Sequence, residues 1–367
     1  MSEPAHKPKD DYDWKENLNR FLRMVLHFDP LMFIGLIAVL ALVLLPAIRF
    51  TNVRTKRTVI LYAAQDQVYA EPILREFEKE TSIKVKAVYD SEAVKTVGLA
   101  NRLLAERSHP QCDVFWGNEE MRTRQLAAQN VFRETNGWAA FGYRSRRIVI
   151  NTNFVAAGIL PAATSLLELT NEIWHGKVAL AFPQFGTTAT HFHALKQLWG
   201  EERWLAWCRA LAANKPFIVD GNSVVVKQVA RGEAWIGLTD SDDIAAGQRE
   251  GLPIASLDGR ARHSVRADSQ PDGGGAHGVT RPTTDLLAET LLIPNTVAVI
   301  RSAPHPEAAQ RLFDYLQHRD VADKLVQANA LESATAATVT NTLKPNWDVL
   351  LRDLETTTKQ LNEIFLR

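Results

Sequence analysis

The sequence predicts an α/β domain with a largely parallel sheet, built as two lobes and preceded by one transmembrane helix. Three observations carry this. Residues 31–48 form one uncharged apolar run, LMFIGLIAVLALVLLPAI. Residues 58–116 alternate strand, helix, strand, helix, strand, the order of a parallel sheet with crossover helices. About 310 residues beyond the apolar run suffice for a large core in two lobes.

The apolar run reads as an uncleaved anchor over 31–49, behind an N-terminal polar segment, 1–30. Its eighteen residues make a helix of roughly 27 Å, close to the hydrocarbon thickness of a bilayer. A secretory signal has a shorter core and a small-residue cleavage site, and none follows Pro46. Basic residues flank both ends: Lys15, Arg20 and Arg23 before it, Arg49, Arg54, Lys56 and Arg57 after it. Charge therefore does not set the orientation.

The soluble elements follow in order. Thr58–Ala64 is extended and apolar, and Gln65-Asp66-Gln67 breaks it. Val68–Glu80 places Ile73, Leu74 and Phe77 on one helical face. Ile83–Tyr89 alternates as a half-buried strand does, Leu99–Arg107 is helical, and Cys112–Trp116 is a buried strand. A second region opens with the strand Arg147–Thr152. Pro161–Leu169 is expected to be a capped helix and Val178–Phe182 a buried strand. Helices follow to Trp199 and over Glu201–Asn214. Phe217–Val219 leads through Asp220–Ser223 into a helix ending at Gly232, and Ala234–Leu238 is a strand ending in an acidic turn, Thr239–Asp243. Residues 256–285, rich in Gly, Asp, Arg and Ser, read as a mobile surface loop. Leu291–Ile300 returns to strand character, Pro306–Leu316 and Arg319–Asn329 are helical, and 336–367 is a C-terminal helical segment.

Composition removes several function classes. The 42 basic and 42 acidic residues cancel and no basic block stands out, so nucleic acid is not an expected partner. The two cysteines, Cys112 and Cys208, are far apart and form no CxxC or Cys/His cluster. No GxSxG, HExxH, P-loop or GxGxxG sits in the context its chemistry needs, so no cofactor is expected and an enzyme is the weakest reading.

The order of segments resembles the periplasmic solute-binding proteins of the ferric-iron type. The resemblance rests on the Tyr62 strand and its polar end at Gln65, the helix PILREFEKET over 72–81, and Leu103–Glu106 with Pro110 and Cys112–Val114. It continues through GEAWIGLTD over 232–240, IPNTV over 293–297 and PHPEAA over 304–309. It covers roughly residues 58 to 335. It implies a type 2 periplasmic-binding fold with two chain crossovers, near Arg144–Ile150 and Ala234–Asp243. Lobe 1 would be 58–145 plus 290–335, and lobe 2 would be 146–240. It also implies a small-molecule or ion ligand, ABC permease and ATPase partners, and a domain outside the cytoplasmic membrane. A membrane-tethered solute sensor is the rival reading.

The ligand site is expected at the carboxyl ends of strands. Ferric members bind iron through adjacent tyrosines, helped by a histidine and a carboxylate. This chain has Ser241, Asp242 and Asp243 where the tyrosines would fall, and Asp66 where the histidine would. A metal would have to use Asp66, Glu119 and Asp242, because hard cations favour carboxylate oxygen. An anionic solute would instead use two strand-to-helix turns. Gly186, Thr187 and Thr188 form one, and Asn222 and Ser223 the other, since free N–H groups at a helix start bind oxyanions. The same Thr and Ser residues also serve as ordinary helix caps. Gln65, Asp66, Asn118, Glu119, Asp240 and Asp242 complete the polar set expected in the cleft. His191 and His193 are two apart and share no helix face, so packing or a surface position is their expected role. Trp116, ending a cleft-facing strand, is core or a stacking surface.

Overall fold

The computed structural model describes residues 18–20, 58–89, 95–160, 165–257, 289–336 and 342–366. The chain divides into two units, Met1–Lys56 and Arg57–Arg367. In the first unit only 18–20 are described, as helix. The expected anchor at 31–49 lies outside the described residues, as does 258–285 of the expected loop. Among the described residues no helix is long and apolar enough to cross a membrane.

The second unit carries nine strands among its described residues. In chain order its first elements are β1 (Thr58–Ala63), α1 (Gln67–Thr81), β2 (Lys84–Tyr89), α2 (Lys95–Ala105), β3 (Val114–Gly117), α3 (Glu120–Ala128), β4 (Trp138–Asn151) and α4 (Thr152–Ala156). Two short 3-10 turns, Leu166–Thr170 and Glu172–Trp174, precede β5 (Val178–Ala181), α5 (Gly186–Trp199), α6 (Glu201–Ala213), β6 (Phe217–Val219) and α7 (Asn222–Ala230). Then come β7 (Ile236–Asp240), α8 (Ser241–Arg249), β8 (Ile254–Ser256) and β9 (Leu292–Val299). The chain closes with α9 (Pro306–Leu316), α10 (Arg319–Gln327), α11 (Trp347–Arg352) and α12 (Leu354–Phe365).

Lobe 1 is the sheet β2-β1-β3-β9 with the first half of β4. β1 runs parallel to β2 and β3, and β9 lies antiparallel between β3 and β4. Helix α1 shows why it packs there: Ala70, Ile73, Leu74 and Phe77 fall on one face and are buried. It stops at Ser82, whose left-handed backbone lets its N–H bond the Glu78 carbonyl. Phe77 joins Leu312 and Leu316 of α9 in the core on one side of the sheet. Leu99, Leu103 and Leu126 cover the other side.

Lobe 2 is the second half of β4 with β7, β5 and β6, and β8 on the other edge of β4. Its core gathers Leu180, Phe192, Trp204, Trp207 and Leu211. The C-terminal helix α12 belongs here. Leu361 is fully buried, and Phe365 meets Phe192 edge to face at 5.9 Å. Cys112 and Cys208 are both buried and free, one in each lobe's core.

β4 is the strand the two lobes share. Trp138–Ser145 pair with β9, and Arg146–Ile150 pair with β7. β4 therefore crosses from lobe 1 to lobe 2 at Ser145–Arg146. The second crossover differs from the expected one: β7 and β8 both remain in lobe 2, and the strand that returns to lobe 1 is β9. The return is not at Ala234–Asp243 but along β9, where Ile293 sits in the lobe 2 core and Val297 and Val299 sit in the lobe 1 core. Lobe 2 thus extends past 240, because β8 pairs with the lobe 2 half of β4 and Ile244 of α8 packs in the same core. Pro161–Leu169 is not an α-helix where it is described; Leu166–Thr170 is a 3-10 turn started by the Ser165 hydroxyl accepting from Leu167 N–H.

The shared strand is irregular at one point. The β4–β9 register shifts between Phe141 and Tyr143, and Gly142 there has φ +59°. A Cβ on Gly142 would lie 2.2 Å from a Leu331 methyl. Gly142→Ala adds left-handed strain to that clash, an expected loss of about 1–3 kcal/mol. Thermal melting of the variant against wild type measures it.

Candidate functional site

The strands of both lobes end at one seam. Gln65 and Asp66 follow β1, and Asn118 follows β3. From lobe 2, Ala181, Phe182 and Phe185 follow β5, Asp220 and Gly221 follow β6, and Asp242 and Asp243 follow β7. Gly186, Thr187, Thr188, Asn222, Asp240 and Arg144 complete the lining of a single cavity. Nine of the expected residues therefore meet: Gln65, Asp66, Asn118, Gly186, Thr187, Thr188, Asn222, Asp240 and Asp242.

A buried ion pair organises the lobe 2 side. Arg146 Nη1 donates to Asp240 Oδ1 at 2.7 Å, to Asn222 Oδ1 at 3.1 Å and to Thr187 Oγ1 at 3.3 Å. The Thr187 hydroxyl donates to Asp240 Oδ2 at 2.7 Å, and Asn222 Nδ2 donates to the same oxygen at 3.1 Å. Burial alone would raise the Asp240 pKa. Arg146 and Arg144 outweigh it and hold Asp240 below the usual carboxylate range.

Asp242 and Asp243 have only distant support, Arg144 Nε at 3.6 Å from Asp242 Oδ1 and the Thr239 hydroxyl at 3.5 Å from Asp243 Oδ2. Burial pushes Asp242 up to about 7, despite Arg144 beside it, and Asp240 and Asp66 add repulsion. Asp243 is raised well above its ordinary value by burial and by its acidic neighbours. Carboxylate oxygens of Asp240, Asp242 and Asp243 lie within 4.8 Å of one another. Oxygen-only donors so placed suit a hard cation.

Three helix starts face the same cavity. The residues preceding α5, α7 and α8 are Phe185, Gly221 and Asp240, and none caps its helix with a side chain. Each helix start turns first-turn N–H groups towards the cavity and carries about half a positive charge. The donor arrays and the carboxylates thus favour opposite charges in one space.

Two expected site residues stand elsewhere. Glu119 is fully buried and does not line the cavity. Its carboxylate caps α3 by accepting from Met121 and Arg122 N–H at 2.7 and 2.9 Å, and accepts from the Thr190 hydroxyl at 2.9 Å. The metal set Asp66, Glu119 and Asp242 is therefore corrected: the carboxylates that converge are Asp240, Asp242 and Asp243. Ser223 is the second residue of α7 and lies behind Gly221 and Asn222, outside the lining. Trp116 is fully buried core and offers no stacking surface. Arg144 and Arg146 were not expected in the site at all. The available signal was two arginines at alternate positions of an apolar strand, which places both on one face.

Of the two roles expected for His191 and His193, packing or surface, the structure shows packing: both are buried in α5. Burial, with Arg146 beside His191 and with Arg122 and Lys196 beside His193, pushes each down to about 3. The unfolded chain therefore binds protons that the folded one refuses, and stability falls as pH drops below about 6.5. Each histidine is expected to cost about 1.4 kcal/mol per pH unit below that point. A His191→Gln, His193→Gln double variant should lose less stability than wild type between pH 6.5 and 5; parallel melting curves would refute this.

A family model described as bacterial extracellular solute-binding protein matches residues 58–328. The chain is 29% identical over 223 residues to an Fe(3+)-binding periplasmic protein of Serratia marcescens, covering 56% of this chain and 63% of that relative. It is 22% identical over 231 residues to an uncharacterized protein of Haemophilus influenzae, covering 55% and 64%. It thus spans less than two thirds of the length of these relatives. Among solved structures, iron-bound HitA of Pseudomonas aeruginosa superposes with a TM-score of 0.64 at 18% identity, over 83% of this chain and 99% of that one. AfuA of Actinobacillus pleuropneumoniae, with fructose-6-phosphate bound, gives 0.65 at 15%, over 84% and 98%. These likenesses are of fold, and they cover both lobes. From the first strand of lobe 1 to α10, this chain belongs to the bacterial extracellular solute-binding protein family.

Proposed function

We propose that the chain is the extracytoplasmic substrate-binding component of an ABC importer, tethered through 31–49, and that its cargo is a hard cation held with an oxyanion. The observation behind this is the mixed cavity: three uncapped helix starts and three carboxylates with oxygens within 4.8 Å of one another. A cargo of one sign satisfies only half of these groups. A ferric carboxylate satisfies both, with the metal on Asp240, Asp242 and Asp243 and the carboxylate oxygens on the N–H groups of α5 and α7. A structural neighbour from Trichodesmium is described in complex with iron and citrate. Permease and ATPase subunits would receive the cargo from the closed protein, whose two lobes the ligand stabilises by touching both.

The second reading is a phosphorylated solute alone, favoured by the same helix starts and by the sugar phosphate in AfuA. pH separates the two. A metal needs the carboxylates ionised, so its affinity rises as pH increases through the Asp242 value of about 7. A phosphorylated solute meets less repulsion when they are protonated, so its affinity does not rise. Calorimetry of the full chain with ferric citrate, citrate and fructose 6-phosphate at pH 6 and pH 8 decides. We expect ferric citrate to bind, more tightly at pH 8. Thr187→Ala with Asn222→Ala should weaken it at least tenfold, about 1.4 kcal/mol. Binding of fructose 6-phosphate alone would replace the first reading with the second.

The tether has its own test. The full chain should sediment with membranes and stay there in high salt, with its C-terminal domain cleaved by protease added outside. Recovery in the soluble fraction would overturn the tether.

A further inference from the structure

Two arginines two residues apart on β4 are used very differently. Arg146 is buried and works through one nitrogen. Its Nη1 makes all three of its side-chain contacts, while Nε and Nη2 have no partner among the described residues. It serves as a point charge inside lobe 2. Arg144 reaches both lobes. Its Nε approaches Asp240 Oδ2 at 3.3 Å and Asp242 Oδ1 at 3.6 Å in lobe 2, and its Nη1 approaches Asn295 Oδ1 at 3.4 Å in lobe 1. Asn295 continues the link by donating to Gln65 Oε1 at 3.5 Å.

Every contact in the Arg144 link is at the long limit for a hydrogen bond, whereas the Arg146 pair is at 2.7 Å. The side chain of Arg144 is only 4% exposed, yet it lines the cavity. A buried guanidinium with loose partners is positioned to take a better one. Charge-assisted bonds to an oxyanion form at about 2.7–2.9 Å and are roughly twice as strong as neutral ones.

We propose that Arg144 contacts the cargo's oxyanion and couples both lobes to it, while Arg146 is a positioning residue that neutralises Asp240 from behind and so leaves Arg144 available. The cargo contact rests on the oxyanion-containing cargo proposed above; the link between lobes does not. Specificity follows from shape. The planar fork of Arg144 presents donors toward both lobes at once, and an ammonium cannot. The Arg146 position uses a single nitrogen and one charge, and a lysine ammonium with its three N–H donors supplies both.

The experiment is a pair of conservative variants in the full chain, titrated with ferric citrate and with fructose 6-phosphate. Arg146→Lys should bind within about threefold of wild type, and Arg144→Lys at least tenfold more weakly. Equal losses, or a larger loss for Arg146→Lys, would overturn the division of roles. If Arg144→Lys does not fold, Asn295→Ala removes the lobe 1 end of the same link and should weaken binding at least fivefold; unchanged affinity would count against the proposal. Should neither probe bind wild type, the cargo reading fails by itself. Hydrogen exchange of the unliganded variants then tests the link. Arg144→Lys should speed exchange in both β9 and the start of α8, and Arg146→Lys should leave β9 unchanged. Matching exchange in the two variants would sink the coupling role.

Discussion

The buried pair between Arg146 and Asp240 is the contact on which the rest of lobe 2 depends. The two residues are cross-strand neighbours in the β4–β7 register. Removing either would leave a buried charge unpaired, which costs several kcal/mol. A one-residue slip of β7 would turn Asp240 to the other face and strand Arg146 among apolar side chains. The pair therefore fixes the register of the sheet and the helices with it. Asp240 Oδ2 also receives Thr187 from the first turn of α5 and Asn222 from the first turn of α7. One carboxylate thus aims two helix starts at the same cavity.

The fold then has to let that aimed surface meet lobe 1. β4 passes directly from one lobe to the other, bending at Gly142. Behind the seam, Thr190 donates to the buried carboxylate of Glu119, and Met121, Ala189, Leu350 and Leu354 pack together. Those apolar residues come from α3, α5 and the C-terminal helices, so the last segment of the chain clasps both lobes. Elsewhere between the lobes, Arg249 of α8 donates to the Tyr69 hydroxyl of α1 at 2.9 Å, in an exposed position. An exposed bond of this kind contributes little. A buried cluster with a satisfied carboxylate resists separation far more. Relative motion of the lobes is therefore expected to pivot near α3 and α5 and to break the Tyr69 contact first.

Much of this was legible in the sequence where periodicity dictated it. The α1 stripe and the polar ends of β1, β3, β5 and β6 follow from burying one face and leaving strand ends to loops. The failures have physical causes. Trp138–Arg146 mixes Gly, Tyr and two charged residues within reach of a strand, and only tertiary pairing makes it the shared strand. Arg144 and Arg146 look like surface charges until β7 supplies the acid that lets them be buried. Glu119 follows a strand as a cleft residue would, yet the unpaired N–H groups of α3 claim it locally. Asp242 and Asp243 look like a solvated turn, but acidic side chains also favour a first helical turn, and Ile244 and Gly247 bury the far side of α8.

The acidic turn remains the least comfortable part of the molecule, and that discomfort bears on function. Moving Asp242 from its ordinary 3.8 to about 7 corresponds to ~4 kcal/mol of unfavourable ionisation. The sign is opposite to that of the buried histidines. A raised carboxyl favours the fold below pH 3.8 and loses that advantage as pH climbs towards 7. At neutral pH the protein therefore carries repulsion at Asp242 and Asp243, in the first turn of α8. Such cost persists where a ligand removes it. An anion alone would add to the repulsion or demand that the carboxyls keep their protons. A cation relieves it directly, and the uncapped helix ends can then hold the cation's own oxyanion partner. The arrangement of charges argues for a cargo that brings both.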